Sequence, residues 1–323
     1  MKHVLVTGGA GYIGSVLTRL LLAQNYRVTV IDTLAFGGES IVELLNDSHF
    51  TFIKGDFRDP SLIDEVLVDI DYIAHLAAIV GDPACAVNPE LTRSVNLEGS
   101  KFLYTKACEH NVKRFVFAST CSNYGKMKDN DEYVNEESEL APVSLYAETK
   151  VAFEKFLLEH EDSGCIPTCL RFSTVYGLSP RLRFDLTVNE FTRDIALGRE
   201  LIVFGEQFWR PYCHVVDLSR SVLHVFDANE TLVANEVFNV GDTLENYQKK
   251  MIIDEITKVI PDAKVKYVNK KEDPRDYRVN FDKIKNVLGF EISKTVPEGV
   301  SQIAQLIRDG IIADPDNEKY SNV

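Results

Sequence analysis

Tyr146 and Lys150 stand four residues apart at the head of an amphipathic stretch, Tyr146–Leu158, so a helix there presents both on one face. A phenol with its ordinary pKa near 10 is a poor base at neutral pH. Cationic neighbours that lower this pKa let it take a proton from a substrate hydroxyl, and Lys150 is placed to be one of them. The same spacing arises in many helices as a plain surface pair. What argues for chemistry is the strand end before it, Ala118–Ser119–Thr120–Cys121–Ser122–Asn123–Tyr124–Gly125. Thr120 offers a hydroxyl there, where open α/β sheets gather their sites.

The first apolar run leads into a second candidate, VTGGAGYIGS at residues 6–15. Gly9-x-Gly11-x-x-Gly14 between a strand and a helix is the context of a dinucleotide fingerprint. Gly9 is expected to permit the tight turn, Gly11 to let backbone approach a pyrophosphate, and Gly14 to let the helix pack on the sheet. The helix start then offers free N–H groups to that anion. Asp32 ends the second apolar run, where a carboxylate accepts from a ribose 2′-hydroxyl and repels a 2′-phosphate, which favours NAD over NADP. Its plainer reading is a cap or turn residue. Asp56–Phe57, after the third run, is placed to bracket adenine, although an Asp there also serves turns.

These groups need a scaffold, and the chain supplies a regular one. Candidate strands at His3–Thr7, Val28–Asp32, Thr51–Lys54, Asp71–Leu76, Arg114–Ser119 and Pro167–Phe172 alternate with helical patterns at Ser15–Gln24, Glu39–Leu45, Leu62–Leu67, Glu90–His110 and Tyr146–Leu158. Such alternation calls for a doubly wound parallel sheet, an α/β fold of Rossmann type. Beyond Phe172 the regularity breaks. Helices are expected at Thr187–Leu197, Val215–Asp227, Gln248–Ile260 and Pro297–Asp309, and a strand at Glu236–Val240. The division this suggests is a dinucleotide-binding domain over 1–174 plus about 213–240, and a smaller, discontinuous α/β substrate lobe over about 175–212 plus 241–323. The polar tail, 314–323, is expected to fray.

The 323 residues are 45% hydrophobic and 26% charged, as in ordinary globular proteins, and the net charge of −14 leaves no basic stripe for nucleic acid. The six cysteines are scattered without a CxxC pair, so no metal site is expected. No apolar run nears the roughly 18 residues of a membrane span. Met1–Lys2–His3 leads directly into the first strand, which reads as a cytoplasmic chain with reduced thiols and no membrane partner.

Taken together, the chain resembles the extended short-chain dehydrogenase/reductases, in their nucleotide-sugar epimerase/dehydratase branch. The resemblance spans nearly the whole chain and rests on Thr7–Gly14, Asp32, Gly55–Asp56, His75–Ala78, Asn96, Ser119–Thr120, Tyr146 with Lys150, Leu170–Arg171, Val175–Gly177 and Arg210–Asp217. It implies NAD held by Gly8, Gly11, Tyr12, Ile13, Gly14, Asp32, Asp56, Phe57, Leu76, Ala77, Ala78, Asn96, Ser119, Tyr146, Lys150 and Phe172. It also implies a 4-keto route on a nucleoside-diphosphate sugar. Tyr146 takes the 4-hydroxyl proton, Thr120 hydrogen-bonds the same oxygen, and Lys150 holds the ribose and, with the positive nicotinamide ring, tunes Tyr146. Arg210, and Arg275 within Glu272–Asp276, match positions that grip phosphate; Asn189 matches a diphosphate or base contact. A homodimer is implied through the helices Glu90–His110 and Tyr146–Leu158, with Leu97, Phe102, Phe153 and Phe156 among their apolar residues.

The departures narrow the activity. Relatives that eliminate water across C5 and C6 carry Thr-Asp-Glu where this chain has Thr120–Cys121–Ser122. Without that acid and base, a 4-epimerase is the simplest reading, beside a C4 dehydrogenase, a 4-ketoreductase, or a non-catalytic NAD sensor. Cys121 and Ser122 sit where a substrate contact is possible, and Cys121 is otherwise a packing residue. Thr174 replaces an Asn that reaches the diphosphate in many members. Ile79–Cys85 is rich in turn-formers, and Ser179–Asp185 brings two arginines to the expected substrate entrance.

Overall fold

The computed structural model of the chain describes residues 1–127, 133–160, 164–270 and 275–322. Glu272, Asp273 and Pro274 of the C-terminal phosphate segment, and Val323, lie outside them. Strands β1 (His3–Thr7), β2 (Arg27–Asp32), β3 (Phe50–Lys54), β4 (Tyr72–His75), β5 (Arg114–Thr120) and β6 (Ile166–Phe172) pair in parallel. The short strands β7 (Thr174–Tyr176), β8 (Glu200–Phe204) and β9 (Trp209–His214) stand apart, and β10 (Glu236–Val240) returns to the large sheet beside β6. The order is β10-β6-β5-β4-β1-β2-β3. Alternation along β1 explains how one strand serves two cores: Val4 and Val6 face one cluster with Leu17, Val30 and Phe226, while Leu5 faces the other with Ile63, Phe115 and Phe153.

Helices cover both faces. α1 (Gly14–Ala23) and α2 (Pro60–Val66) follow the prediction within a few residues. The turn-rich segment after β4 instead folds α3 (Asp82–Val87), and the expected single helix 90–110 is broken. It runs as α4 (Pro89–Arg93), a widened π turn at Ser94–Gly99, and α5 (Ser100–Glu109). The π turn holds Asn96, whose side chain is spent inside the protein: Oδ1 accepts from the Ile79 amide at 2.8 Å and Nδ2 donates to the Ile79 carbonyl at 2.9 Å. α6 (Leu145–Glu159) carries Tyr146 and Lys150 and is capped by Ser144.

β7, β9 and β11 (Asn246–Gln248) form a second sheet, and β8 with β12 (Lys264–Val268) a third. α7 (Thr187–Ala196) packs there, while α8 (Val215–Asp227) lies against α1 under the large sheet. α9 (Lys249–Val259) and α11 (Val296–Arg308) flank α7, with α10 (Asp282–Leu288) between them in the chain. Apolar positions at helical spacing (Ile252 and Ile256; Val296, Val300, Ile303 and Ile307) meet Val188, Ile195 and Val203 in a third core. No helix among the described residues is long and apolar enough to cross a membrane.

The expectation that the tail frays is corrected over 314–322. Phe184 donates its amide to the Tyr320 carbonyl at 2.8 Å, Arg181 donates to the Ser321 carbonyl at 3.0 Å, and the Asn322 amide donates to Asp185 at 3.1 Å. The Tyr320 ring sits edge-on to buried Phe184. A polar sequence docks here through its backbone, which composition does not reveal.

Glu245 joins β11 to the start of α11. It is buried, and accepts from the Val296 amide at 2.8 Å and from the Tyr247 hydroxyl at 3.3 Å. Burial pushes its pKa from 4.5 up to about 7, so between those values the folded chain holds more protons than the unfolded one. This group therefore lowers stability as pH rises from about 4.5 through 7. Glu245→Gln is expected to remove that decline. Denaturant titrations at pH 5 and pH 8 should show the variant gaining on the parent at the higher pH, and parallel losses would refute the assignment.

Candidate active site

A cavity of about 470 Å³ opens at the carboxyl ends of the strands, over the crevice between β1 and β4 where the strand order reverses. Its floor is the turn from Gly8 to Gly14. The positive φ of +75° falls on Gly8, not on Gly9, to which the sequence reading gave the tight turn. A Cβ at Gly8 would come within 2.9 Å of the Ala77 backbone, and one at Gly14 would collide with the Gly8 carbonyl oxygen. Gly9 is needed because a Cβ there would lie 2.5 Å from the Val30 side chain. Helix α1 is thus drawn against the sheet, with the backbone of Gly11, Tyr12 and Ile13 on the cavity wall. The Tyr12 hydroxyl donates to the Gly177 carbonyl at 2.5 Å, tying this turn to the segment after β7.

Asp32 stands at the wall with its oxygens accepting from Leu34 (2.9 Å) and Ala10 (3.1 Å) amides. Burial raises its pKa, and those two donors oppose the rise. Asp56, Phe57, Leu76, Ala77, Ala78 and Phe172 line the same space. Asp56 is held low chiefly by its hydrogen-bonded neighbour Arg58, a cavity residue the sequence reading missed.

At the opposite end lie Ser119, Thr120, Tyr146 and Lys150. Lys150 is buried, and its ammonium donates to the Ala118 carbonyl at 2.7 Å. Burial pulls its pKa down to about 8. Its Nζ lies 5.7 Å from the centre of the Tyr146 ring. Burial pushes the Tyr146 phenol above its usual value; Cys85 and Asp82 add to this, and Arg183 opposes it. Burial, more than the neighbouring charges, therefore leaves the phenol a weaker acid than in water. Thr120 accepts from the Ser122 amide at 3.1 Å and keeps its hydroxyl proton available.

The other expected residues are more scattered. Asn189 is corrected as a substrate contact: it is fully buried, with Oδ1 accepting from the Gly177 amide and Nδ2 donating to the Arg183 carbonyl at 2.8 Å. It shapes the 177–183 segment instead. Cys121 is likewise corrected. It is 1% exposed, packs in the core and donates to the Arg171 carbonyl, and burial pushes its thiol pKa up. Asn96 stands behind the wall as the clamp on Ile79, not on it. Ser122 meets the Tyr277 hydroxyl at 3.4 Å, and Arg210 lies over the Tyr277 ring at 5.3 Å. Thr174 pairs with Tyr212 between β7 and β9, and Arg275 forms an ion pair with Asp82 at 2.8 Å.

Arg181 and Arg183 do reach the cavity, joined by Phe36, Ser173 and Asn322. Phe36 could have been found as a large apolar residue in a Gly-rich loop. Asn322 left no such signal. A dinucleotide fits this set: the turn has no room for a Cβ at Gly8, Gly9 or Gly14, Asp32 lines the space, and Arg181 and Arg183 bring guanidinium groups to it.

Comparison with known proteins agrees. Residues 4–241 match the NAD dependent epimerase/dehydratase family. A UDP-glucose 4-epimerase of Halalkalibacterium halodurans is 30% identical over 310 residues, covering 89% of this chain and 90% of that one. A dTDP-glucose 4,6-dehydratase of Actinoplanes sp. is 29% identical over 313 residues, covering 93% and 95%. The crystal structure of a UDP-glucuronic acid 4-epimerase from Bacillus cereus, in complex with UDP-glucuronic acid and NAD, superposes with a TM-score of 0.85 at 25% identity, covering 95% of this chain and 99% of that one. With a doubly wound sheet, a turn closed to a Cβ at Gly8, Gly9 and Gly14 and a cavity ending at Tyr146 and Lys150, the chain belongs to the NAD-dependent epimerase/dehydratase family and is an NAD-dependent enzyme.

Proposed function

We propose that this enzyme interconverts nucleoside-diphosphate sugars at C4, as a 4-epimerase. The observation that carries the reading is the pairing of Thr120, Tyr146 and Lys150 at one end of the cavity with Cys121 and Ser122 beside them, where elimination of water calls for an acid and a base. When bound, NAD⁺ would supply the acceptor that takes the C4 hydride and gives it back to the other face of the keto sugar, and a positive charge near Tyr146. Tyr146 takes the proton of the 4-hydroxyl through its phenol oxygen, and Thr120 donates a hydrogen bond to the same substrate oxygen. Lys150 holds the ribose and keeps a cation close to the phenol, lowering its pKa toward the working range. Asp32 accepts from the adenosine ribose, which favours NAD over NADP. Arg210 and Arg275 take the sugar's diphosphate, where planar guanidinium groups suit phosphate oxygens. In this reading 1–174 with about 213–240 carries most of the cofactor site, and about 175–212 with 241–323 carries the sugar and lends Arg181, Arg183 and Asn322 to the cofactor cavity.

The test is a panel of nucleotide sugars added to the NAD-loaded protein, with the sugar followed by NMR and the cofactor by absorbance at the NADH band. One sugar should be isomerised with no net NADH. Lasting NADH accumulation would make the enzyme a C4 dehydrogenase, discharge of bound NADH by a keto sugar only would make it a ketoreductase, and a 4-keto-6-deoxy product would make it a dehydratase.

The reading extends to a homodimer paired through α4–α5 and α6. Leu97, Phe102 and Phe156 on these helices are half-buried, while Phe153 is wholly inside the core and unavailable to a partner. Sedimentation at micromolar concentration should give twice the chain mass, and a monomer alone would exclude the pairing.

A further inference from the structure

The segment 314–322 does more than cover a surface. Asn322 forms part of the wall of the cofactor cavity, beside Arg181 and Phe36. The same three residues also line a second crevice of about 660 Å³, whose far side includes Leu306, Ile312 and Tyr320. They are therefore a partition, with the dinucleotide cavity on one side and an outer crevice on the other. The partition is held by the docked segment. Arg181, 7% exposed, lies with its guanidinium 4.6 Å from the Phe36 ring centre and donates to the Ser321 carbonyl. Asp185, ion-paired with Arg183, accepts from the Asn322 amide.

We propose that residues 314–322 are a cofactor-retaining strap, closing the Asp32 side of the cavity so that NAD leaves only when the strap lifts from Arg181–Asp185. Three features support this. Among the described residues the strap is held by three backbone hydrogen bonds, the Tyr320 ring contact and the Arg199–Asp316 ion pair, ties that can release while the two cores of the large sheet stay packed. Arg181 and Asn322, which line the cavity, also make two of the strap's hydrogen bonds, so cofactor and strap are held by the same residues. Lifting the strap removes the Asn322 wall and joins the two spaces into one open channel. An enzyme that returns its cofactor to the starting state in each turnover works best when the cofactor stays. The inference needs the NAD cavity; the advantage of retention rests on the proposed epimerase reading, whereas the closure itself is read from NAD release.

Linkage makes the proposal testable in both directions: if the strap holds NAD, NAD must hold the strap by the same factor. Hydrogen exchange of the intact chain, with and without NAD and with no sugar present, should show the Phe184 and Asn322 amides slowed by the cofactor. The variant Tyr320→Ala/Asn322→Pro loses the ring contact and the Asn322 N–H. Its NAD dissociation rate, read by filtration or by stopped-flow displacement, should rise about 5–150-fold, the range of an ordinary coupling. Asn322→Ala, which keeps the backbone, should show a smaller rise. Strap amides indifferent to NAD overturn the proposal even if the double variant misfolds. A well-folded double variant that releases NAD at the parent rate overturns it too. Failure of the sugar panel bears on the proposed C4 chemistry and leaves this result untouched.

Discussion

Tyr146→Phe is expected to lower kcat by about 10²–10⁴-fold, the usual worth of a positioned proton-transfer group, while the NAD content of the purified protein stays at the parent level. The split follows from where the hydroxyl sits. Tyr146 occupies the far end of the cavity with Thr120, whereas the glycine turn and Asp32 form the other end and lose nothing in the variant. No neighbouring group stands in for the phenol. Lys150 is committed to the Ala118 carbonyl, and the buried imidazole of His75 is held by Thr7 and Ser100, its pKa pulled down to about 3 mainly by burial. Initial rates on the sugar identified in the panel, together with absorbance of the cofactor released on denaturation, read both halves. Unchanged turnover in the variant would remove Tyr146 from the mechanism.

The second large effect is on stability. Arg171 on β6 and Glu154 on α6 form an ion pair at 2.8 Å, with side chains only 5% and 2% exposed. Glu154 also accepts from Ser119 and, at 2.9 Å, from Asn123, while Arg171 donates to the Tyr124 hydroxyl at 2.9 Å. Burial works against the Arg171 charge, but Glu154 beside it outweighs that and holds the guanidinium pKa above its usual value. Arg171→Met leaves the carboxylate buried without its counter-charge, which costs about 3–5 kcal/mol. Adding Glu154→Gln should recover part of the loss, because the stranded charge is gone. Denaturant titration of both single variants and the double gives the coupling directly. A loss below about 1 kcal/mol for Arg171→Met would show that water or a neighbour satisfies Glu154 and that the pair is not what anchors α6 under the catalytic residues.

Much of this arrangement was legible in the residues. The strands of the large sheet are runs rich in β-branched and aromatic residues, buried on both faces at the centre and partly exposed at the β3 edge, and their limits differ from the expected ones by no more than a residue or so; β1 and β10 fall where predicted, as does α8. The small sheets were not legible. β8 pairs with β12, some sixty residues on, and β9 is Trp209–His214, whose polar and aromatic mixture reads as loop until Gln248 and Thr174 are seen beside it. Among the site residues, chemistry was visible where a residue type does only one thing well. Tyr146, Lys150 and Asp32 reach the cavity. Asn96 and Asn189 were misread because a buried amide suits a backbone segment as well as a ligand, and only the partners distinguish the two. The shift of the left-handed turn from Gly9 to Gly8 has the same origin: four glycines permit it at several places, and Val30 and Ala77 decide.

The return of β10 to the edge of the large sheet has a consequence for synthesis. β6 ends at Phe172, but the strand that covers it ends at Val240, about 68 residues later. At roughly 5–20 residues per second, a ribosome needs about 3–14 s to deliver it. Through that interval the nascent chain carries β6 as an open, apolar parallel edge, which invites pairing with a neighbouring chain on the same message. Arg114, which donates to the Val225, Phe226 and Ala228 carbonyls, is waiting on the same delivery. Codon changes that slow translation between residues 172 and 240 are therefore expected to raise the insoluble fraction, and an insoluble fraction equal to that of the parent message would refute this.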